Sequence, residues 1–93
     1  MKQVIFDFKM LVDRDAFYQD FALQFQLDDN FGDNLDALWD ALVGGIELPV
    51  SIVFKHLPHH SRDFQPLVEV MQEAQNELGK DVLCFHCEHK AQK

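Results

Sequence analysis

Segment 30–42 carries acidic and apolar side chains at a spacing that would separate them onto two faces of a helix. At roughly 100° per residue, one apolar stripe contains Leu35, Leu38 and Leu42. The opposite side carries three carboxylates, those of Asp33, Asp36 and Asp40. Because the helix dipole favours acids only in the first turn, helix stability does not require Asp40. The face shared by Asp36 and Asp40 is therefore predicted to meet positive charge.

Residues that begin and end helices flank this acidic segment. Asp33 or Asn34 is suited to the N-cap, because a short side-chain oxygen can accept a first-turn N–H. Gly44 and Gly45 are predicted to end the helix after residue 43. We expect Asp36 and Asp40 to be exposed, and the leucine stripe to be buried.

Cysteine and histidine alternate near the C-terminus, in the run Cys84-Phe85-His86-Cys87-Glu88-His89. In a strand, Cys84 and His86 share one face, and Cys87 and His89 share the other, so the four cannot converge on one zinc ion. A redox C-x-x-C normally opens a helix, and none is predicted here. We therefore expect no metal or cofactor at this run, and interpret Cys84 as a small core residue.

A second group of potentially catalytic residues consists of His56, His59, His60 and Asp63. Histidine and a carboxylate could act as a general acid–base pair or bind a metal. Their spacing is irregular and few cations accompany them to hold RNA, so an exposed polar loop is the preferred interpretation. A metal-binding or catalytic role through the His and Cys residues remains the alternative to a binding function.

Length and charge restrict the classes of function. A chain of 93 residues is expected to form one domain, residues 1–93. Its formal charge of −8 disfavours nucleic acid as a ligand and suits a basic partner. No segment approaches the ~18 apolar residues of a membrane span. Two cysteines and no recognisable secretory signal predict a cytoplasmic protein with free thiols.

Apolar periodicity predicts three strands and three helices in the order β-α-α-β-α-β. The predicted elements are strands at 2–8, 50–56 and 82–88, and helices at 13–27, 33–43 and 63–78. This order indicates an α/β protein with a small parallel sheet and helices packed on it. Because Val50, Ile52, Val53 and Phe54 form a nearly continuous apolar run, strand 50–56 is predicted to lie in the middle of the sheet.

The run Asn34-Leu35-Asp36-Ala37-Leu38-Trp39-Asp40 resembles the barstar family of ribonuclease inhibitors. An aromatic-Gly-acid turn precedes it, and Leu42, Gly44, Glu47 and Pro49 follow at matching positions. Weaker similarity continues from Pro49 through the next strand and returns at residues 70–74. The resemblance implies three parallel strands in sequential order and no enzymatic activity.

The resemblance also implies a binding mode and a set of contacts. In the barstar family, the two aspartates that match Asp36 and Asp40 enter the cationic cleft of a barnase-like ribonuclease, and the second of them is the main anchor. Glu73 matches a glutamate at the edge of that interface, and Trp39 borders the acidic face. The predicted partner-binding residues are therefore Asn34, Asp36, Trp39, Asp40, Gly44 and Glu73.

Three positions depart from the family pattern. Asn30 replaces a tyrosine, Gly45 replaces a tryptophan, and Val43 replaces a threonine. Since two aromatic contacts are missing, a related ribonuclease is a more plausible partner than barnase itself. A basic partner that is not a nuclease is the other interpretation, because the charge pattern indicates the sign of the partner's charge and not the partner's identity.

Overall fold

The computed structural model describes residues 1–28, 31–58 and 62–89. The elements are β1 (Lys2–Asp7), α1 (Arg14–Gln24), α2 (Leu35–Asp40), a π-helical turn (Ala41–Gly45, the π turn), β2 (Val50–Leu57), α3 (Gln65–Leu78) and β3 (Leu83–His89). The predicted α/β class and element order are confirmed. Among the described residues, no helix is both long enough and apolar enough to cross a membrane.

The three strands form one parallel sheet in the order β1-β2-β3. Val4 pairs with Ile52, and Ile52 pairs with Phe85, so β2 lies between the other two strands. Ile52 and Phe54 are fully buried, and Val53 is 5% exposed. The predicted central position of this strand and the burial of its apolar side chains are therefore confirmed.

Phenylalanine rings join the sheet to the helices on one of its faces. The Phe54 ring lies 5.9 Å from that of Phe6 in β1 and 5.5 Å from that of Phe17 in α1, centre to centre. Leu67 and Met71 of α3 belong to the same buried cluster. The distances and edge-to-face geometries are those of attractive aromatic pairs. The helices thus pack against a single aromatic core.

The opposite face of the sheet is less covered. Val53 projects there and lies outside the aromatic cluster, although its neighbours shield it. Beside it on β1, Ile5 is 39% exposed. On β3, the His86 side chain is 65% exposed. This face, defined by Ile5, Val53 and His86, is called the open face below.

Glutamine side chains from two helices bond to the outer edges of the sheet. The Gln24 Nε2 group of α1 donates to the Ile5 carbonyl at 3.0 Å. The Phe85 N–H of β3 donates to Gln75 Oε1 of α3 at 2.8 Å. Edge strands expose unpaired backbone groups, so these bonds fix helix positions and occupy part of each edge.

The helix ends agree only partly with the expectations. Asp13 caps α1 as predicted, accepting the Ala16 N–H at 2.8 Å. That helix ends at Gln24 rather than residue 27, because Gln26 takes a left-handed conformation with φ 56°. The Leu27 N–H then bonds back to the Ala22 carbonyl at 2.9 Å, as in a Schellman motif. Glycine is usual at such a position, and a glutamine gives no sequence signal for it.

A histidine–aspartate pair links the carboxyl ends of β1 and β2. The His56 Nδ1–H donates to Asp7 Oδ1 at 2.9 Å, and the Lys9 N–H donates to the same oxygen at 2.9 Å. His56 has φ 58° and lies where the β2–β3 register shifts. These two hydrogen bonds hold the pKa of Asp7 below its usual 3.8, and the bond from the Lys9 N–H has the larger effect.

The two faces of β2 should differ in their contribution to stability. Phe54→Ala removes the ring that touches both sheet and helices, and we expect a loss of about 3–5 kcal/mol. Val53→Ala on the open face should cost clearly less, about 1–2 kcal/mol, because only two methyl-sized groups lose cover. Urea unfolding of both variants measures this difference. Equal losses would contradict a one-sided aromatic core.

The Asp7 carboxylate should stabilise the fold in a pH-dependent way. Because its pKa is lowered in the folded chain, its contribution is present above 3.8 and is lost as pH falls through the folded value. Asp7→Asn should therefore be less stable than the wild type at neutral pH, and the two should converge in acid. Thermal unfolding across this range tests the expectation, and a constant difference at every pH would contradict it.

Candidate functional site

Helix α2 carries Asp36 and Asp40 and is called the acidic helix. The side chain of Asn34, the residue before it, is its N-cap. Asn34 Oδ1 accepts the Ala37 N–H at 2.8 Å, which decides between the two predicted caps. Gly32 packs closely on this cap: a Cβ there would lie 3.1 Å from Asn34 Nδ2 and 3.3 Å from Ala37 Cβ. Asn34 is itself exposed, but its oxygen is already engaged. Its side-chain oxygen therefore positions the helix, and its role as a partner contact stays a prediction.

The end of the acidic helix differs from the expectation. Gly44 and Gly45 were predicted to terminate it, but both lie inside the π turn, and neither has a positive φ. The Ile46 N–H bonds to the Ala41 carbonyl at 3.0 Å, which is the i→i−5 pattern of a π-helix. The turn places both Leu42 and Ile46 in the core. The π turn therefore allows both apolar side chains to be buried.

Asp36 and Asp40 both lie on the exposed side of α2, as predicted. Within the described chain, neither side chain forms a hydrogen bond or an ion pair. They are four residues apart, so they lie about 6 Å apart along the helix axis. With Asp33, which is also exposed, they define the acidic face.

Leucine side chains hold the acidic helix in place. Leu38 and Leu42 are fully buried, as predicted. Leu35 is only half-buried, because it also lines a surface groove next to Asp36. The prediction that all three leucines are buried is therefore correct for two of them. The carboxylates project from a helix whose inner side is fixed in the core.

Two open grooves flank the acidic face. The Asp36 groove has a volume of about 450 Å³ and includes Arg14, Asp15 and Tyr18 of α1. Burial raises the pKa of the Tyr18 hydroxyl, so that group stays neutral at physiological pH. The second groove, of about 510 Å³, is called the Asp40 groove. It is lined by Gln26, Leu27, Asp28, Phe31, Gly32, Ala37, Asp40, Ala41 and Gly45.

Charge differs between the two grooves. Arg14 supplies a cation to the Asp36 groove. No Lys or Arg is among the residues that line the Asp40 groove, where Asp28 and Asp40 are the charged groups. The Gly45 backbone contributes to its wall, and a Cβ there would make only ordinary contacts of 3.6–3.8 Å. Space for a larger side chain is thus left open beside Asp40.

The remaining predicted contact residues lie around the acidic face. Trp39 is half-buried and packs against the core, so its ring also has a structural role. Glu73 is exposed on α3, which packs against α2 and the π turn. Gly44 is exposed, and a Cβ at this position would meet nothing within 4 Å. The fold itself therefore gives no steric reason for glycine at 44.

The cysteines and histidines do not assemble into a reactive site in the described chain. Cys87 packs against the core, where burial raises the pKa of its thiol. Cys84, predicted to be a core residue, is instead half-buried on the open face, because strand alternation turns it away from the helices. The described residues contain no group of three or more His, Cys, Asp or Glu that could hold a metal. His59, His60 and Asn30 lie outside the described residues.

Sequence reasoning did not identify the grooves or the His56–Asp7 pair. The Asp40 groove brings residues 26–28 and 31–32 together with the π turn, and the paired His56 and Asp7 are 49 positions apart. Neither arrangement has a local pattern that could have revealed it. The acidic face was detectable because one helical period is enough to define it.

Comparisons with known proteins agree with this arrangement. The family model described as Barstar (barnase inhibitor) matches residues 1–90. The protein named "Putative ribonuclease inhibitor YrdF" from Bacillus subtilis (strain 168) is 35% identical over 83 residues, covering 84% of this chain and 90% of the relative. The family match spans all three strands and the acidic helix. The chain therefore belongs to the barstar family.

Proposed function

We propose that this protein is an inhibitor of a ribonuclease and that Asp36 and Asp40 enter the cationic active site of the enzyme. The observation that carries the proposal is the exposure of both carboxylates, without a partner in the described chain, on a helix anchored in the core. The family match supports a barnase-inhibitor-like role. In this role the protein acts as a binding protein and not as an enzyme.

The free carboxylates provide binding energy for a cationic cleft. A ribonuclease holds the scissile phosphate with Arg, Lys or protonated His, and a carboxylate can occupy the same place. Charge-assisted hydrogen bonds of this kind are about twice as strong as neutral ones. Since Asp36 and Asp40 make no bond to the described chain, binding does not break an internal interaction.

Asp40 is the proposed main anchor because the fold does not benefit from it. Asp36 lies in the first turn of α2, where the helix dipole favours a carboxylate. Asp40 lies beyond that first turn, and the helical chain continues after it through the π turn, so the helix dipole does not favour a carboxylate there. Asp40 also borders an open groove without cations, so a partner's side chain can approach it.

Rigidity of the acidic face should help binding. The Asn34 cap and the buried Leu38 and Leu42 fix α2 before the partner arrives. Association then orders few main-chain groups, which reduces its entropic cost. Trp39, Gly44 and Glu73 are proposed as the surrounding contacts. Trp39 would offer the exposed part of its side chain, and Gly44 would permit close approach of the partner's backbone.

The proposed partner is a basic ribonuclease of the barnase class. A chain with a net charge of −8 attracts such a partner over long range, and salt screens this attraction. Gly45 leaves space beside Asp40, so a related enzyme with a larger complementary side chain fits better than barnase. We propose that the inhibitor acts as a monomer in the cytoplasm, where its two free thiols would persist.

Removing the Asp40 charge tests the proposed anchor. Asp40→Asn should weaken binding at least ~30-fold, because truncating one partner of a buried charge pair costs about 2–5 kcal/mol. Stability should change by no more than about 0.5 kcal/mol, since the side chain is exposed. The assay is RNA hydrolysis by a panel of purified secreted bacterial ribonucleases that includes barnase. The most strongly inhibited enzyme is then used for titration.

Glu88→Gln is the matched control for Asp40→Asn. It removes one negative charge from β3 on the open face, where Glu88 contacts only His86, at 3.7 Å, among the ion pairs described. Both variants have the same net charge, so long-range steering falls equally in each. Equal inhibition by both variants would remove Asp40 as the anchor. Failure of the wild type to inhibit any ribonuclease would overturn the proposed function and favour another basic partner.

Gly44→Ala should separate folding from binding. An alanine at this helical position should stabilise the free protein by about 0.5–1 kcal/mol, because glycine has greater freedom in the unfolded chain and no contact opposes the added methyl group. If a partner's backbone approaches Gly44, the same methyl group should weaken inhibition. Thermal unfolding and ribonuclease titration measure the two effects. Unchanged affinity would place Gly44 outside the interface.

A further inference from the structure

An exposed leucine on α1 lies beside a third groove. Leu23 is 76% exposed and projects from the side of α1 opposite Phe17 and Phe21, which are fully buried. Together with Ala22, Leu27 and Phe31 it lines an open groove of about 380 Å³, called the Leu23 groove. This leucine therefore contributes nothing to the core face of its helix.

Backbone geometry explains how the Leu23 groove forms. The left-handed Gln26 turns the chain at the end of α1, so that the Leu27 N–H reaches the Ala22 carbonyl at 2.9 Å. Phe31 then packs on α1, with its ring 5.5 Å from that of Phe21 and 6.4 Å from that of Tyr18. These contacts fix the walls of the groove in the free protein.

The Leu23 groove is continuous with the proposed ribonuclease-binding surface. Leu27, Asp28 and Phe31 line both it and the Asp40 groove, so these three residues form the wall between the two grooves. If a side chain of the partner binds Asp40, the partner's surface next to that side chain would cover this wall. Continuity favours the same partner in both grooves.

The charges around the Leu23 groove indicate the chemistry of its occupant. Asp28 and Asp33 are on its rim, and no Lys or Arg is among its lining residues. Its wall is otherwise largely apolar, formed by leucine, alanine and aromatic side chains. Such a groove suits an apolar side chain whose neighbours in sequence are Lys or Arg.

We propose that the Leu23 groove is a second docking site for the ribonuclease, and that it binds an apolar side chain flanked by basic residues on the enzyme surface. This inference rests on the proposed function, because it requires the same basic partner. The acidic face blocks the active site, and the Leu23 groove adds apolar contact area outside it. Discrimination among ribonucleases with similar active sites would then depend on this groove.

The test compares two equally exposed apolar residues. Leu23 is 76% exposed and Val12 is 77% exposed, and Val12 lies in the connection before α1. We expect Leu23→Gln to weaken inhibition of the titrated ribonuclease about 10- to 100-fold, the range for burying one leucine side chain. Val12→Gln should leave inhibition unchanged. Neither substitution alters charge, so electrostatic steering stays constant.

Kinetics and assembly state provide further readouts. The loss in Leu23→Gln should appear mainly as faster dissociation and should persist in high salt, whereas Asp40→Asn removes a salt-sensitive interaction. Sedimentation of the wild type and of Leu23→Gln detects the other possible occupant, a second copy of the chain. A dimer that dissociates on this substitution would overturn the proposal.

The outcomes separate this proposal from the function on which it rests. If Asp40→Asn loses inhibition while Leu23→Gln inhibits like the wild type, the acidic anchor is correct and the second docking site is wrong. If Leu23→Gln and Val12→Gln weaken inhibition equally, the effect is not specific to the groove and the proposal also fails. If the wild type inhibits no ribonuclease, both the function and the docking site are rejected.

Discussion

The fold depends on aromatic packing around Phe54 at the centre of the sheet. Its ring contacts Phe6 and Phe8 of the N-terminal segment, Phe17 of α1 and Phe85 of β3. A 93-residue chain buries a limited share of its surface, so one dense cluster must hold both the sheet and the helices. Because the cluster lies on one face, all three helices are oriented by it.

This apolar core leaves the charged groups at the surface. The described chain buries no polar or charged residue, and the ion pairs His56–Asp7 and His86–Glu88 lie at its surface. Stability therefore comes mainly from apolar burial, while the acidic face remains free to interact with another molecule. The same separation of apolar and charged side chains is seen in α2 and the π turn. Leu38 and Leu42 pack into the core, whereas Asp36 and Asp40 are exposed.

Much of the fold was predictable because the required signals are local. A continuous apolar run identified β2, and one helical period separated the leucines of α2 from its carboxylates. The π turn was missed because its i→i−5 bond leaves no distinct pattern in the chain. The early end of α1 was missed because Gln26 adopts a conformation typical of glycine. The grooves required tertiary structure, since they join α1, residues 26–28 and 31–33, and α2.

Features that oppose folding are concentrated along two adjacent grooves. Gly45 lies in a helical turn and Gln26 holds a left-handed conformation, and both line the Asp40 groove. Leu23, exposed to water, lines the neighbouring groove. A glycine inside a helix costs about 0.5–1 kcal/mol, and a left-handed residue other than glycine costs about 1–2 kcal/mol. One unfavourable feature of this kind is common in proteins, but several of them side by side require an explanation. Under the proposed function, binding to a partner that contacts this surface would compensate for these costs.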